Sequence, residues 1–562
     1  MFDAIVIGSG MSGGIAAKEL TERGLKVLVL ERGGHIEHRA DYKDFVQPWQ
    51  MEAAGRIPQE ELLADYPIQS QCYAVNAMNQ QFWVKDSEHP YTTTEGKPFS
   101  WIRGYHLGGR SLMWGRQSYR LSAMDFEANA LDGHGSDWPI RYEDIAPWYD
   151  HIENFIGVSG SMEGLPQLPD GDFLPPFALN DAELMLKAAV EERFPGRKVI
   201  PGRVANLSEA REHHRELGRT SCQVRSLCDR GCSFGAYHSS LSSSLPAATR
   251  TGNLTIVTDA VAQEIVYDPA TGRATGVRVI DANTMAGTTY EAKVIFCCAS
   301  AIPTAQILLN SKSESFPAGL ANRSDQVGRN LMDHQFSLYV AAILPNGPDT
   351  TTFGRRPTGL YIPRFRNVTE EGADYVRGFG FQGSADRMGW RNQAINQAGI
   401  GVELKERTSK PGPWFVNLSG FGEVLPYATN RVSLNETRTD KWGMPIPHIN
   451  FEFGENERRM ARQIIADARA MVEAAGGMVI SVGDTPGTPG LGIHEMGTAR
   501  MGKDPANSVL GAFNAAHDVP NLFITDGGAM ASSGCQNPSL TYMALTARAA
   551  NHAVELLREG AL

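Results

Sequence analysis

Two groups of residues in this 562-residue chain have types and spacings suited to chemistry. The first is Gly8, Gly10 and Gly13, with Ser9, Met11 and Ser12 among them, directly after the apolar run Phe-Asp-Ala-Ile-Val-Ile. Glycines at this G-x-G-x-x-G spacing permit a tight turn and close approach of backbone N–H groups to a pyrophosphate, provided a strand precedes them and a helix follows. Glu31 stands 21 residues after Gly10, where a carboxylate accepts hydrogen bonds from an adenosine ribose. An acid there disfavours a 2′-phosphate, so FAD or NAD is expected rather than NADP. The second group is Cys222, Cys228 and Cys232 in GRTSCQVRSLCDRGCSFGAYHSS (218–240), a stretch without helical or strand period. Three thiolates on one short loop can converge on a soft metal centre, zinc or an iron–sulfur cluster. His238 is the candidate fourth ligand for zinc. Unbound or disulfide-linked thiols are the third reading, and Arg219, Arg225 and Arg230 would offset the charge of a cluster.

The elements that must hold these groups are visible as periodicity. Residues 2–7 read as a buried parallel strand, residues 12–24 as a helix ending at a glycine, and LKVLVLERG as a second strand, a complete βαβ unit. The alternating stretch 254–300 predicts a β-meander that returns to a buried strand, KVIFCCA, followed by a helix in AIPTAQILLNS. NLFITDGG (521–528) predicts a strand ending at Asp526, and the segment from NPSL onward a long helix. The nucleotide-binding fold is therefore assembled from both ends of the chain. Between them, residues 336–489 hold strand-like runs such as RVSLNE and HINFEF, expected to form the main sheet of a second, substrate-binding domain.

Composition removes several classes of function. With 42% hydrophobic and 20% charged residues the chain is an ordinary globular one, neither disordered nor coiled-coil. A net charge of −11 without a basic tract makes nucleic acid an unexpected partner. Seven cysteines are too few for a disulfide scaffold of this length. No apolar stretch approaches the ~20 residues of a spanning helix. The N-terminus starts as structure without a signal, so either a cytoplasmic location or a periplasmic one reached through a signal-bearing partner subunit is expected.

At this point the sequence resembles the glucose-methanol-choline (GMC) flavoprotein oxidoreductases. The residues that carry the likeness are GSGMSGG with Glu31, HLGGRSLMWG (106–115), ASAIPTAQILLNS, HEMGTARMG (494–502) and TDGGAMASSGCQNPSLTYMAL (525–545). The resemblance implies an α/β fold in which a Rossmann-type FAD-binding domain (1–40, 95–134, 215–335 and 490–562) interleaves with an α+β substrate domain built on an antiparallel sheet (41–94, 135–214 and 336–489). It implies FAD contacts at Gly8, Ser9, Gly10, Met11, Ser12, Gly13, Glu31, Arg32, Gly108, Gly109, Met113, Val261, Asp526, Asn537 and Ser539. It also implies that His494 is the base taking a hydroxyl proton, with Asn537 orienting the alcohol oxygen. Histidine suits that task because its ordinary pKa of ~6.5 leaves much of it neutral near pH 7. The family often has a polar residue where Trp114 stands, and usually glycines and a proline where this chain has Ser300, Ala305 and Lys312, departures that speak against a simple oxidase. His106 is a conceivable flavin attachment point, but nothing in the sequence fixes its ring there.

The cysteine spacing resembles that of bacterial sugar dehydrogenase catalytic subunits in the same family, which pass electrons through a [3Fe–4S] centre to a cytochrome. That likeness implies a dehydrogenase with a small subunit and a cytochrome c type acceptor. The blocks 82–122, 137–160 and 168–176 resemble glycoside 3-dehydrogenases, which oxidise the C3 hydroxyl of a pyranoside, with Trp101, Trp114 and Tyr119 as candidates for stacking on the sugar. Oxidation at another carbon, of glucose, gluconate or fructose type, and a non-catalytic flavin electron-transfer subunit are the alternatives.

Overall fold

The apolar run Phe2–Ile7 becomes the interior strand of an eight-stranded sheet in a computed structural model that describes residues 1–352, 354–370, 373–388 and 399–562. It pairs in parallel with Val27–Leu30 on one side and Gly287–Cys297 on the other, and Leu254–Val257 and Val519–Ile524 extend the parallel block. Register brings the carboxyl ends of these strands to one edge. Ile7 lies opposite both Leu30 and Cys297, Cys297 opposite Ile524, and Leu30 opposite Val257. In an open parallel sheet that edge is where ligands bind. The meander Ala260–Asp268 and Arg273–Asp281 joins antiparallel through Gly287–Cys297. The helices Met11–Glu22 and Ser539–Arg558 pack on each other, and Ala16, Ala17 and Leu20 share an apolar cluster with Ala549, Ala550 and Ala553, whose alanines are small enough to allow close approach.

A second sheet is antiparallel and six-stranded, in the order Met478–Gly483, Leu338–Leu344, Trp414–Gly422, Phe379–Arg387, Leu360–Ile362 and Ile200–Pro201. Its two faces differ because side chains alternate along a strand. Phe379, Phe381, Val416 and Leu418 enter the apolar core shared with the helices Glu455–Ala474 and Asp181–Arg193, whereas Gln382 and Phe421 line a chamber. The expectation for RVSLNE and HINFEF needs correction. Arg431–Thr439 and Pro445–Asn450 form a separate three-stranded sheet with Thr92–Thr93. No helix among the described residues is long and apolar enough to cross a membrane.

Candidate active site

The glycine turn opens onto a cavity along the carboxyl edge of the parallel sheet, and its residues show why glycine is required. A Cβ on Gly13 would stand 1.9 Å from the Gly8 carbonyl oxygen, and one on Gly8, whose φ is +94°, 2.6 Å from the carbonyl oxygen of Cys298. A Cβ on Gly10 would meet nothing within 4 Å, so its face is left open. Gly10 caps the helix Met11–Glu22 without a side-chain hydrogen bond, and no acid lies in that helix's first turn. Its free N–H groups and positive dipole end are thus available to an anion. Glu31, Arg32, Val261, Asp526 and Gly109 line the same cavity. The Glu31 carboxylate accepts from the N–H of Ser9 at 3.1 Å and of Gly33 at 2.9 Å, and burial still raises its pKa. Arg32 lies between the rings of Tyr105 and Trp442, 4.5 and 4.8 Å from their centroids. An uncapped helix start, an open glycine face and a buried ribose-type carboxylate on one cavity fit FAD.

The cavity runs on to the closing histidine motif. Arg110, of the GGRSL turn, pairs with Glu495 at 2.7 Å and donates to Ser300 Oγ at 2.9 Å. Ser300 has φ +82°, a conformation that favours glycine, and its N–H donates to Asp526 at 2.9 Å. Burial lifts Asp526 to about 6. A second chamber lies beyond, and Met11, Arg110, Ile493, His494 and Tyr542 line both spaces. Asn537, Ser539, Met113 and Gln382 line the second chamber only. His494 therefore stands where the nucleotide cavity meets a separate space suited to substrate.

Hydrogen-bond partners determine which nitrogen of His494 carries its proton. His334 Nε2 lies 2.7 Å from the carbonyl oxygen of Gly534 and must donate to it. In neutral His334 the Nδ1 is then an acceptor, and it faces His494 Nδ1 at 2.8 Å, so His494 carries its proton on Nδ1. The lone pair of His494 Nε2 is left to face Asn537 Nδ2 at 3.2 Å. Gln382 Nε2 donates to Asn537 Oδ1 at 2.7 Å, which orients the amide so that its NH₂ faces the base. Burial, with repulsion from His334 and Arg110, holds the His494 pKa well below the usual histidine value, and burial holds His334 at about 4. Asp333 accepts from the N–H groups of Gly490, Gly492 and His494 and so ties down the turn in which Ile493 takes φ +58°. His334 and Gln382 are absent from the sequence-derived set. Their only signals are a histidine inside LMDHQF and a polar residue in an otherwise apolar stretch, FGFQG.

Other expectations fare differently. Of the three aromatic residues expected to stack on a sugar, only Trp114 lines the second chamber. Tyr119 is fully buried against Tyr361, with ring centroids 3.9 Å apart, and Trp101 lines the nucleotide cavity. His106 is buried beside Phe82 and lines neither space. Gly108, with φ +88°, shapes the turn, its N–H donating to Ser9 Oγ at 2.8 Å.

Cys222, Cys228 and Cys232 share one loop and are partly exposed, each within electrostatic reach of the others. Burial pushes Cys222 up to about 11. Among the described residues, however, no three His, Cys, Asp or Glu side chains are gathered as a metal site. As arranged, the three thiols do not fit a three-thiolate centre or, with His238, a zinc site. His238 is fully buried, its Nδ1 at 2.6 Å from Ser243 Oγ. Two of the expected counter-charges are also engaged elsewhere. Arg219 donates to the carbonyls of Gly235 and Ile156, and Arg225 pairs with Asp44.

Comparison with known proteins agrees with this geometry. The fructose dehydrogenase large subunit of Gluconobacter japonicus is 27% identical over 573 residues, covering 99% of this chain and 98% of the relative. Paromamine 6'-oxidase of Streptomyces fradiae is 26% identical over 573 residues, covering 98% and 91%. In fold, the chain is similar to a formate oxidase of Aspergillus oryzae with a TM-score of 0.61 at 14% identity, covering 100% of this chain and 99% of that one. Residues 2–336 and 426–546 match the N-terminal and C-terminal family profiles described as GMC oxidoreductase. With more than half of its length matched by one profile, the chain belongs to the GMC oxidoreductases, enzymes of oxidation and reduction.

Proposed function

We propose that this chain is an FAD-dependent dehydrogenase that oxidises a secondary hydroxyl of a sugar or glycoside, the C3 hydroxyl of a pyranoside being the favoured position. The carrying observation is the lone pair of His494 Nε2 at the junction of the two spaces, with the Asn537 amide facing it at 3.2 Å. A hydroxyl placed between these groups donates to Nε2 while its oxygen accepts from Asn537. Bound FAD supplies a hydride acceptor. His494 takes the hydroxyl proton, and its depressed pKa keeps it neutral and ready to accept throughout the neutral range. Phe336, Phe421 and Trp114 give the chamber apolar walls.

The names of the relatives support a sugar substrate, and the large-subunit name of the fructose dehydrogenase supports a small partner subunit, while the cytochrome-type acceptor rests on the resemblance of the cysteine spacing. The iron–sulfur role of Cys222, Cys228 and Cys232 belongs to the same proposal. It rests on their spacing in the sequence, since the thiols as arranged among the described residues are not gathered into a ligand set, and no reaction step is assigned to it. Iron with acid-labile sulfide in protein purified without air is the expected result, and zinc alone or no metal would remove that role. For the main proposal, anaerobic addition of glucosides to the holoenzyme should bleach the flavin absorbance. No bleaching with any sugar would reject it.

A further inference from the structure

Arg116 is the one arginine less than a tenth exposed that has no hydrogen-bond acceptor among the described residues. The other nine of that burial all donate to carboxylates, carbonyls or an amide. Arg203 and Arg377 reach Asp170 and Glu423, for example, and Arg500 and Arg548 reach backbone carbonyls. The remaining five are likewise engaged. Arg116 is 3% exposed, its Nε is buried without a partner, and the face of Tyr237, 5.1 Å from the guanidinium carbon, is its nearest compensation. It lines the second chamber. No Asp or Glu lines that chamber, and Arg110, the other arginine there, is already neutralised by Glu495. The backbone adds an independent sign: Arg116 has φ +64°, in a region that costs a residue with a Cβ, and it is held there by the Ala205 N–H bond to its carbonyl at 2.9 Å. Such strain persists where the surroundings over-determine it, and it concentrates at ligand sites.

A buried guanidinium without a counter-charge is unfavourable, and its planar fork matches the two oxygens of a carboxylate or phosphate. We propose that the substrate carries an anionic group away from the reacting hydroxyl and that Arg116 binds it, so that sugar acids or sugar phosphates are preferred over neutral sugars and amino sugars are rejected. This deepens the proposed sugar oxidation and rests on it. Asn537 and His494 hold the hydroxyl end of the substrate in the same chamber while Arg116 sets its other end, a two-point attachment that restricts which carbon is presented.

The test is anaerobic flavin reduction by the holoenzyme with glucose and methyl glucoside, with gluconate and glucuronate, and with glucose 6-phosphate. At least one anionic sugar should half-saturate at a concentration roughly 10- to 100-fold below its neutral counterpart, the scale of a charge-assisted hydrogen bond. The carboxylate and phosphate arms identify which anion it is. In Arg116→Gln that ratio should collapse toward one, and Arg116→Lys should retain part of it. Flavin content and melting temperature confirm that each variant is folded. Arg116 also lies within electrostatic reach of Cys222, so iron and thiol content are measured alongside. Preference for neutral sugars, an anion preference unchanged in Arg116→Gln, or a loss of iron without a change in preference would overturn the proposal while leaving sugar oxidation standing. Failure of every sugar to bleach the wild-type flavin would overturn both.

Discussion

At the scale of the residue, the chemistry depends on where one proton sits. The carbonyl of Gly534 fixes His334, His334 fixes the Nδ1 proton of His494, and the lone pair is thereby left at Nε2, where the proposed base acts. His494→Ala should keep FAD bound but slow flavin reduction by ~10²–10⁴, the range lost with a general base; a near-normal rate in stopped-flow would exclude the role. The pH profile follows from the direction of the His494 shift. Because its pKa is depressed, the neutral base is fully present at and above the ordinary histidine range and is lost only as pH falls below it. The charged and titratable groups facing it are His334, Asp333, Arg110 and Glu495. His334→Gln removes a repulsive neighbour and the tautomer lock together, so the acid limb should move to higher pH while the plateau rate drops. A drop in rate with an unmoved limb would indicate packing alone.

At the scale of the element, the glycine turn separates two requirements that substitution can tell apart. Gly13→Ala drives a Cβ onto the Gly8 carbonyl at 1.9 Å and should lower the melting temperature of the apoprotein as well as its flavin content. Gly10→Ala has room for its Cβ within the protein, so the apoprotein should melt close to wild type while flavin affinity falls, because the methyl group enters the space a pyrophosphate needs. Equal loss of apoprotein stability in both variants would contradict this division. The helix behind the turn contributes through what it lacks: with neither a capping side chain nor an early acid, its N-terminal charge stays directed at the cavity.

At the scale of the whole molecule, the active site is a seam between two sheets. The parallel sheet supplies the nucleotide edge, and the antiparallel sheet reaches across it through Gln382 to Asn537. Gln382→Leu should therefore leave FAD content unchanged but lower the limiting rate of flavin reduction roughly tenfold, the value of a hydrogen bond of about 1.4 kcal/mol. A change confined to half-saturation would instead assign Gln382 to substrate binding.

The sequence alone determined the turn at Gly8–Gly13, the position of Glu31, the strand before the turn and the helix after it. Each is a local demand on backbone conformation, and a short window of residues expresses it in full. His494 and Asn537 were singled out only through the resemblance of their contiguous stretches to the family; the residues alone would not have marked them. Tyr119 and Trp101 were left open between sugar contact and core, because an aromatic side chain has the same spacing in either, and only packing separates the two. The cysteine loop shows the limit from the other side, since spacing along the chain does not specify how thiols converge in space. His334 and Gln382 lie 160 and 155 residues from the groups they orient. Arg116 is distinguished by its backbone conformation and by the partners it lacks among the described residues. Those three roles were decided by tertiary structure, because hydrogen-bond direction and the absence of a counter-charge are properties of what packs around a residue and leave no period or spacing in the sequence.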